Sequence, residues 1–572
     1  MQLARVDRST TPSTIELPRA YNAAVEFIDA NLTKGRGRKT AFIDAAGRYT
    51  YGELAERVNR TGNALRALGA GMETRVLMCM LDGIDFPAVF WGAIKAGCVP
   101  IPVNTLLTSG DYAHLLRDSR ARVAVVSEEL LDRFEPVLAD QPHVEQVVVA
   151  GGGPPAGTQP AAGTGSGAPP EAPARAEVGD SPPAPGESGD RERTPKGSGA
   201  PARHRLADLL AVVSPRLEPA PTTSDDVAFW LYTSGSTGTP KGSMHLHRDL
   251  ITTAEHYGVG TLGIREDDVV YSAAKLFFAY GLGNAMTFPF HVGATTVVLA
   301  GRPTPDAVMA LLREHRPTIF YGVPTLYGAM LALPSEGEGG GSSRLRLAVS
   351  AGEALPAEIG AAWEERFGAP ILDGLGSTEM LHIFLSNREG DVRYGTTGKA
   401  VPGYRLKLVD EAGEPAATGE IGELWVSGDS SAVAYWNQRE KSLATFHGPW
   451  TRTGDKYVVD EEGYYHYCGR TDDMLKVGGQ WVSPFEVESA LLGHPEVLEA
   501  AVVAAEDERG LVKPKAFVVP RAGVEPDDRF AAALQEFVKD RLAPFKYPRW
   551  IEFAVDLPKT ATGKIQRFRL RR

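Results

Sequence analysis

The 572-residue chain has only three cysteines, Cys79, Cys98 and Cys468, and no paired spacing among them. That argues against a disulfide framework or a clustered thiolate metal site and fits a reducing compartment. Long uninterrupted apolar runs are also missing, so no segment is expected to span a bilayer. The opening residues, Met-Gln-Leu-Ala-Arg-Val-Asp-Arg, lack the apolar stretch of a secretion signal. Positive charge is in deficit, with 60 lysines and arginines against 72 acids and a net charge of −12. Wholesale binding to nucleic acid or to an anionic membrane is therefore not expected. What these absences leave is a cytoplasmic protein of ordinary globular composition, too long for one compact core and so expected to form two or more domains.

The most informative stretch present is Leu231 to Gly242, Leu-Tyr-Thr-Ser-Gly-Ser-Thr-Gly-Thr-Pro-Lys-Gly. An apolar run over 227–231 reads as a buried strand that breaks into hydroxyls and glycines, Thr233, Ser234, Gly235, Ser236, Thr237 and Gly238, and ends on Lys241. Glycines bring backbone N–H groups close to an anion, hydroxyls add donors and a lysine adds mobile charge, so the stretch outlines a phosphate cradle. Gly235 and Lys241 have Walker-loop spacing, but Pro240 stands where that loop needs glycine and Gly242 where it needs Ser or Thr. On composition alone a flexible Gly/Ser connector is an equal reading.

The rest of the chain supplies companions. Between 21 and 134, strand-like runs at 40–44 and 75–80 alternate with helical patterns at 51–68 and 86–95, which predicts β-α units on a largely parallel sheet. Residues 151–204 are Gly, Pro, Ala, Ser, Glu and Arg with almost no large apolar side chain, and are expected to be a disordered insertion in a surface loop. His245 and His247 flank Leu246, but no third ligand completes a metal site. The run 272–284 is aromatic bulk beside Ala279, Gly281 and Gly283, readable either as a core helix or as a flat apolar slot. Runs at 319–325, 347–356 and 371–379 each read as a strand breaking into a small-residue turn, the place where open α/β sheets bind ligands. The third ends on Thr378, a donor for a phosphate oxygen, and Glu379, a hard ligand for Mg²⁺. The last third turns β-rich, with Asp455 placed in a turn after Gly454, and from 473 onward the pattern is α+β, with helices at 484–492 and 529–542 and strands at 498–505 and 515–520. Lys564 follows a glycine near the C-terminus.

The 231–242 loop resembles the phosphate-binding signature of the adenylate-forming superfamily, which includes acyl-CoA synthetases, luciferases and peptide-synthetase adenylation domains. Within it, Ala274-Lys-Leu-Phe-Phe-Ala-Tyr-Gly-Leu-Gly-Asn284 and Gly376-Ser-Thr-Glu-Met-Leu-His-Ile-Phe-Leu-Ser386 are similar to the aryl-CoA ligases, benzoate-CoA ligase among them, and this resemblance favours the acyl slot over the core helix. It implies an α/β fold: a large multi-layered N-terminal domain with a β subdomain over 1–471, and a small mobile α+β domain over 472–572. It also implies a reaction in which an aromatic carboxylic acid is joined to AMP from ATP with Mg²⁺ and then passed to the thiol of coenzyme A.

Carried over residue by residue, the resemblance gives the 233–238 loop and Lys241 the pyrophosphate end of ATP. Gly352, Glu353, Ala354, Asp373 and Gly374 would border adenine, Thr378 the α-phosphate, Glu379 the Mg²⁺, and Asp455 with Arg470 the ribose. Lys564 would bridge the acyl carboxylate and the α-phosphate. Ala279, Tyr280, Gly281, His382 and Ile383 would wall the aryl slot, with His382 packing or donating to a ring substituent. The small domain would turn about Asp472 and present Lys476, Gly478 and Gly479 to a pantetheine channel. Trp481 departs from the pattern, standing where many acyl-CoA synthetases carry an arginine. Two other readings stay open: a ligase that loads a separate carrier protein, since this chain has no carrier-type Gly-Gly-x-Ser-Leu segment, and a nucleotide-binding regulator without catalysis. A homodimer is compatible with all of them.

Overall fold

Short aliphatic and β-branched runs, bounded by glycine or proline, form most of the strands, and amphipathic stretches between them return the chain in parallel. The computed structural model describes residues 1–151, 200–233, 240–334, 341–471, 473–477, 480–508, 510–559 and 565–571. Among these, a nine-stranded sheet runs in the order Lys399–Ala400, Ile383–Ser386, Ile371–Gly376, Leu347–Ala351, Ile319–Gly322, Val269–Ser272, Thr295–Val297, Thr40–Asp44, Gly47–Thr50. From Ile371–Gly376 across to Thr40–Asp44 the strands are parallel, and the outer ones turn antiparallel. Ser350 pairs with Asp373 and Ala351 with Gly374, so two strands finish side by side at their C-terminal ends, where open sheets of this kind bind ligands.

A second sheet of five parallel strands is ordered Val99–Pro102, Arg75–Cys79, Val123–Ser127, Gln146–Ala150, Ala202–Arg205. The β-α region expected on one sheet is therefore divided between two. The helices Tyr51–Ala67 and Asp85–Ala96 share one apolar core with both sheets. They cross so closely that a Cβ on Gly62 would stand 2.8 Å from the Gly92 carbonyl. Alternation of strand and helix is the same whichever sheet a strand joins, so the sequence pattern does not separate them.

One boundary moves. Ala202–Arg205, with residues 202–204 expected inside the disordered insertion, is an edge strand in register with Gln146–Ala150, while residues 152–199 lie outside the described set. Arg203 pairs with Glu135 at 2.5 Å and Arg205 with Glu128 at 3.6 Å. An edge strand takes its ladder bonds on one side and shows charge on the other, so its polar composition resembles that of a loop.

A five-stranded antiparallel sheet follows, made of Arg405–Val409, Gly422–Ser427, Trp450–Val459, Phe446–His447 and Tyr465–Arg470. The C-terminal part packs Val497–Glu506, Val512–Pro520 and Trp550–Phe553 against helices Pro484–Leu492 and Asp528–Lys539 around its own core of Val487, Leu491, Val502, Val518 and Leu534. Ser483 caps the first of these helices by accepting from Glu486 N at 3.1 Å, and Pro484 occupies the first turn, where its missing N–H costs nothing. A large N-terminal and a small C-terminal part result. No helix among the described residues is long and apolar enough to cross a membrane.

Candidate active site

The apolar run before the glycine–hydroxyl loop forms Val227–Thr233, and the chain returns as Lys241–Leu246 in an antiparallel hairpin. Phe229 packs edge-on to Phe90, and Trp230 stacks on Trp436 with ring centres 4.8 Å apart, so the hairpin is anchored by buried aromatics. Thr233 pairs with Lys241 and closes the loop at its base. Ser234, Gly235, Ser236, Thr237 and Gly238 lie outside the described residues. Lys241 Nζ stands 3.2 Å from the Tyr435 hydroxyl and 4.3 Å from its ring centre. Burial lowers the pKa of this ammonium, and the Glu379 carboxylate opposes the shift.

Glu379 comes from the turn that joins Ile371–Gly376 to Ile383–Ser386. Tyr435 donates to Glu379 Oε1 at 2.6 Å, so Lys241, Tyr435 and Glu379 form one chain of contacts. The turn is tied down through its own backbone: Leu381 N donates to Thr378 O, Ala432 N to Glu379 O and Met380 N to Ser377 Oγ. Leu381 adopts φ of +67°, which costs a side-chain-bearing residue about 1–2 kcal/mol and is held by these bonds.

Asp455 is not in a turn. It lies within the ten-residue strand Trp450–Val459, opposite Arg470 on Tyr465–Arg470. Gly454, at φ of +73°, sits in a bulge of that strand, and a bulge glycine gives the same sequence signal as a turn glycine. Arg470 Nη1 is 3.1 Å from Asp455 Oδ1 and 3.0 Å from the Thr453 carbonyl. The Asp455 charge raises the Arg470 pKa above its ordinary range, and Glu379 adds to the effect. Arg470 in turn helps to lower the Lys241 pKa. Lys241, Glu379, Arg470 and Asp455, drawn from three separate regions of sequence, thus act on one another electrostatically.

Of the residues expected to border adenine, Gly352 takes φ of +93° just past the end of Leu347–Ala351, with Glu353 and Ala354 following it. The neighbouring strand carries Asp373 and Gly374. Burial pushes the Asp373 carboxyl up to about 8, against the opposing backbone donors of Leu355 and Gly374, so near neutrality it holds its proton. A Cβ on Gly374 would stand 2.9 Å from Ile383 Cγ2, so this glycine lets the two strands close up.

The residues expected to wall an aryl slot gather around His382. Ala279–Leu282 is a single helical turn that continues into Gly283–Thr287 and Phe288–Val292, so 274–284 is not one helix. Tyr280 reaches across to donate to the Val349 carbonyl at 3.0 Å. Its ring, with those of Tyr257 and Phe288, surrounds the His382 imidazole at 4.5–5.7 Å between centres. A Cβ on Gly281 would strike the Lys275 carbonyl at 2.1 Å, and one on Gly283 would strike His382 Cδ2 at 2.2 Å. Ile383 is buried beside them. Burial pulls the His382 pKa down to about 3, so the ring is neutral. Its Nε2 faces the Tyr280 carbonyl at 3.3 Å and Asn284 Oδ1 at 3.1 Å and must carry the hydrogen, since a carbonyl only accepts. That donor is spent inside the protein. The lone pair on Nδ1 has no partner among the described residues. With Nε2 engaged, the imidazole packs among the rings that surround it.

Residues 29–436 match the family described as AMP-binding enzyme, and residues 486–564 match the AMP-binding enzyme C-terminal domain. This chain belongs to the AMP-binding enzyme family. It is 57% identical to the benzoate–CoA ligase of Thauera aromatica over 574 residues, covering 100% of this chain and 99% of that one. Among solved structures, a benzoate CoA ligase from Burkholderia xenovorans LB400 superimposes with a TM-score of 0.82 at 48% identity, covering 96% and 100% of the two chains. An anthranilate CoA ligase in complex with anthranoyl-AMP gives 0.85 at 40% identity and 97% coverage of each.

The remaining site residues of this AMP-binding enzyme separate into two groups. Asp472, Gly478, Gly479 and Lys564 lie outside the described residues. Lys476 is described: it pairs with Trp481 in the hairpin Leu475–Val477/Gln480–Val482, lies 4.9 Å above its ring and 3.5 Å from Glu411. Sequence reasoning missed Tyr435, Asn284 and Tyr257, because a tyrosine or asparagine that acts through a partner distant in sequence leaves no spacing to read. His245 and His247 do not converge on an ion: His245 contacts Asp249 and Thr378, and His247 Nδ1 accepts from Ala23 N. Among the described residues no group of three or more His, Cys, Asp or Glu side chains forms a metal site.

Proposed function

We propose that this chain is an ATP-dependent aryl-CoA ligase. It joins benzoate, or a benzoate with a ring substituent, to AMP with loss of pyrophosphate, and then transfers the acyl group to the thiol of coenzyme A. ATP and CoA are the substrates of the benzoate–CoA ligase family to which the chain is so similar. The observation that carries the reading is the connection between Ile371–Gly376 and Ile383–Ser386: Thr378 and Glu379 sit at its tip beside Lys241, and His382 and Ile383 sit at its base among aromatic rings. Charged groups suited to a nucleotide and an aromatic cluster suited to an aryl acid thus share one short turn.

In this reading an aromatic carboxylate lies in the slot walled by Ala279, Tyr280, Gly281, His382 and Ile383, and one of its oxygens attacks the α-phosphorus in line. Gly352, Glu353, Ala354, Asp373 and Gly374 border the adenine. Lys241 and the 233–238 loop hold the pyrophosphate as it leaves, Thr378 donates to the α-phosphate, and Asp455, oriented by Arg470, accepts from the ribose. Glu379 is suited to Mg²⁺, a hard cation that takes one or two carboxylates and completes its shell with phosphate oxygens and water. When bound, the ion would neutralise phosphate charge. Lys564 is assigned the space between the acyl carboxylate and the α-phosphate, where a cation stabilises the charge that grows during attack. For the second half-reaction the C-terminal part turns about Asp472, and the loop from Lys476 through Gly478 and Gly479 faces the pantetheine arm. The CoA sulfur then bonds to the acyl carbon as the bond to AMP breaks.

Pyrophosphate release across a panel of aromatic and short aliphatic acids tests the reading, with benzoates expected to be the best substrates. Lys564→Ala is expected to lower adenylation at least ~100-fold while leaving thiolysis of supplied benzoyl-AMP largely intact. Normal adenylation by that variant would remove Lys564 from the mechanism.

A further inference from the structure

We propose that His245, held by Asp249, is a positioning residue for adenylation: its imidazole fixes the peptide of Thr378 and so aims the Thr378 hydroxyl and the Glu379 carboxylate. The sequence offers the pair His245 and His247 only as an incomplete metal site. The structure gives His245 a different task.

His245 is on Lys241–Leu246, the strand that begins with Lys241. Its ring is fully buried and stacks on Phe229 with centres 5.2 Å apart and planes 19° off parallel. Nε2 lies 2.8 Å from the Thr378 carbonyl and Nδ1 lies 2.9 Å from Asp249 Oδ2. A carbonyl oxygen accepts only, so Nε2 carries a hydrogen and donates it to Thr378. Asp249 is also fully buried, and its Oδ2 accepts a second bond from Leu246 N at 3.0 Å. Partners on opposite sides of the ring fix its rotation, and Nε2 keeps its hydrogen toward Thr378.

The consequence is geometric. One strand supplies Lys241, which contacts Tyr435 and through it Glu379, and four residues on it supplies His245, which grips the residue before Glu379. The same strand pairs with the 433–436 segment: Met244 N donates to Ala434 O and Trp436 N to Gly242 O, while Ala432 N donates to Glu379 O. The lysine, the tyrosine and the acidic turn are thus set against one another from a single strand. If the Thr378 carbonyl lost its imidazole partner, the turn would keep only its bonds from Leu381, Met380 and Ala432, and small displacements of catalytic groups are costly.

Two substitutions separate the contacts. In His245→Gln the amide nitrogen stands in for Nε2 and keeps the donor to Thr378; in His245→Asn it stands in for Nδ1 and keeps only the contact with Asp249. The role rests on the acid-activating reading above, so MgATP binding is measured by calorimetry without any acid, alongside pyrophosphate release with benzoate and thiolysis of supplied benzoyl-AMP. The expected result is that Asn weakens MgATP binding and adenylation roughly tenfold or more, the loss of one buried hydrogen bond, while Gln stays within about threefold of wild type and thiolysis is unchanged in both. Equal behaviour of Gln and Asn would overturn the proposal, as would an equal fall in both half-reactions, which marks general damage to the fold. A wild-type protein that binds MgATP but activates no acid would overturn the function proposed above, while a Gln–Asn difference in MgATP affinity would still support His245.

Discussion

Tyr435 donates its hydroxyl to Glu379 at 2.6 Å while the face of its ring lies 4.3 Å from Lys241 Nζ. One side chain thus holds a cation and an anion side by side without letting them collapse into an ion pair. Tyr435→Phe keeps the ring under Lys241 and removes the hydroxyl's bonds to Glu379 and to Lys241. The expected effect is a loss of roughly 1 kcal/mol of adenylation transition-state stabilisation, about a fivefold fall in kcat/KM for MgATP. Initial-rate pyrophosphate release against MgATP concentration measures it, and thiolysis of benzoyl-AMP should not change.

Gly283 touches the imidazole of His382 with no room for a side chain, since a Cβ would meet Cδ2 at 2.2 Å. Gly283→Ala must push His382 toward the space between its ring neighbours or strain the turn. The expected outcome is a KM for benzoate raised roughly tenfold or more with the KM for ATP little altered, because overpacking costs about 1–3 kcal/mol and is confined to the aryl side. Equal changes in both constants would place Gly283 outside the slot.

Asp373 gives the fold a pH dependence of defined sign. Its carboxyl is pushed up to about 8 by burial, against about 3.9 in an unfolded chain. Between those values the folded protein holds a proton that the unfolded chain has released, so this group makes folding progressively less favourable as pH rises through that window. Asp373→Asn keeps the shape and removes the titration. Its melting temperature relative to wild type should therefore climb from pH 5 to pH 8 in differential scanning fluorimetry. A difference that does not vary with pH would mean that Asp373 is ionised in the fold.

The parts legible from sequence are those whose signal is local. The strands at 40–44 and 371–376 and the helix Pro484–Leu492 announce themselves by apolar runs and caps within a few residues. Lys241 and Glu379 stand out because each borders a strand beside small residues: Lys241 opens Lys241–Leu246, and Glu379 follows Ile371–Gly376. What stayed hidden depends on partners remote in the chain. Gly454 reads as a turn because a bulge and a turn ask for the same φ, and only the pairing of Trp450–Val459 with Gly422–Ser427 distinguishes them. Ala202–Arg205 reads as a loop because an edge strand with one polar side needs no apolar alternation. Tyr435 is 56 residues from Glu379 and His245 is 133 from Thr378, distances over which no periodicity carries information.

In the proposed reaction a carboxylate oxygen of an aromatic acid bonds to the α-phosphorus of ATP beside Lys241, Glu379, Asp455 and Arg470. Benzoate labelled with ¹⁸O in both carboxyl positions, incubated with the enzyme, ATP, Mg²⁺ and CoA, tests this directly by mass spectrometry of the products. Benzoyl-CoA retaining one ¹⁸O, with AMP carrying the other in its phosphate, is the expected result. Unlabelled AMP, or label appearing in inorganic phosphate alongside ADP, would contradict it.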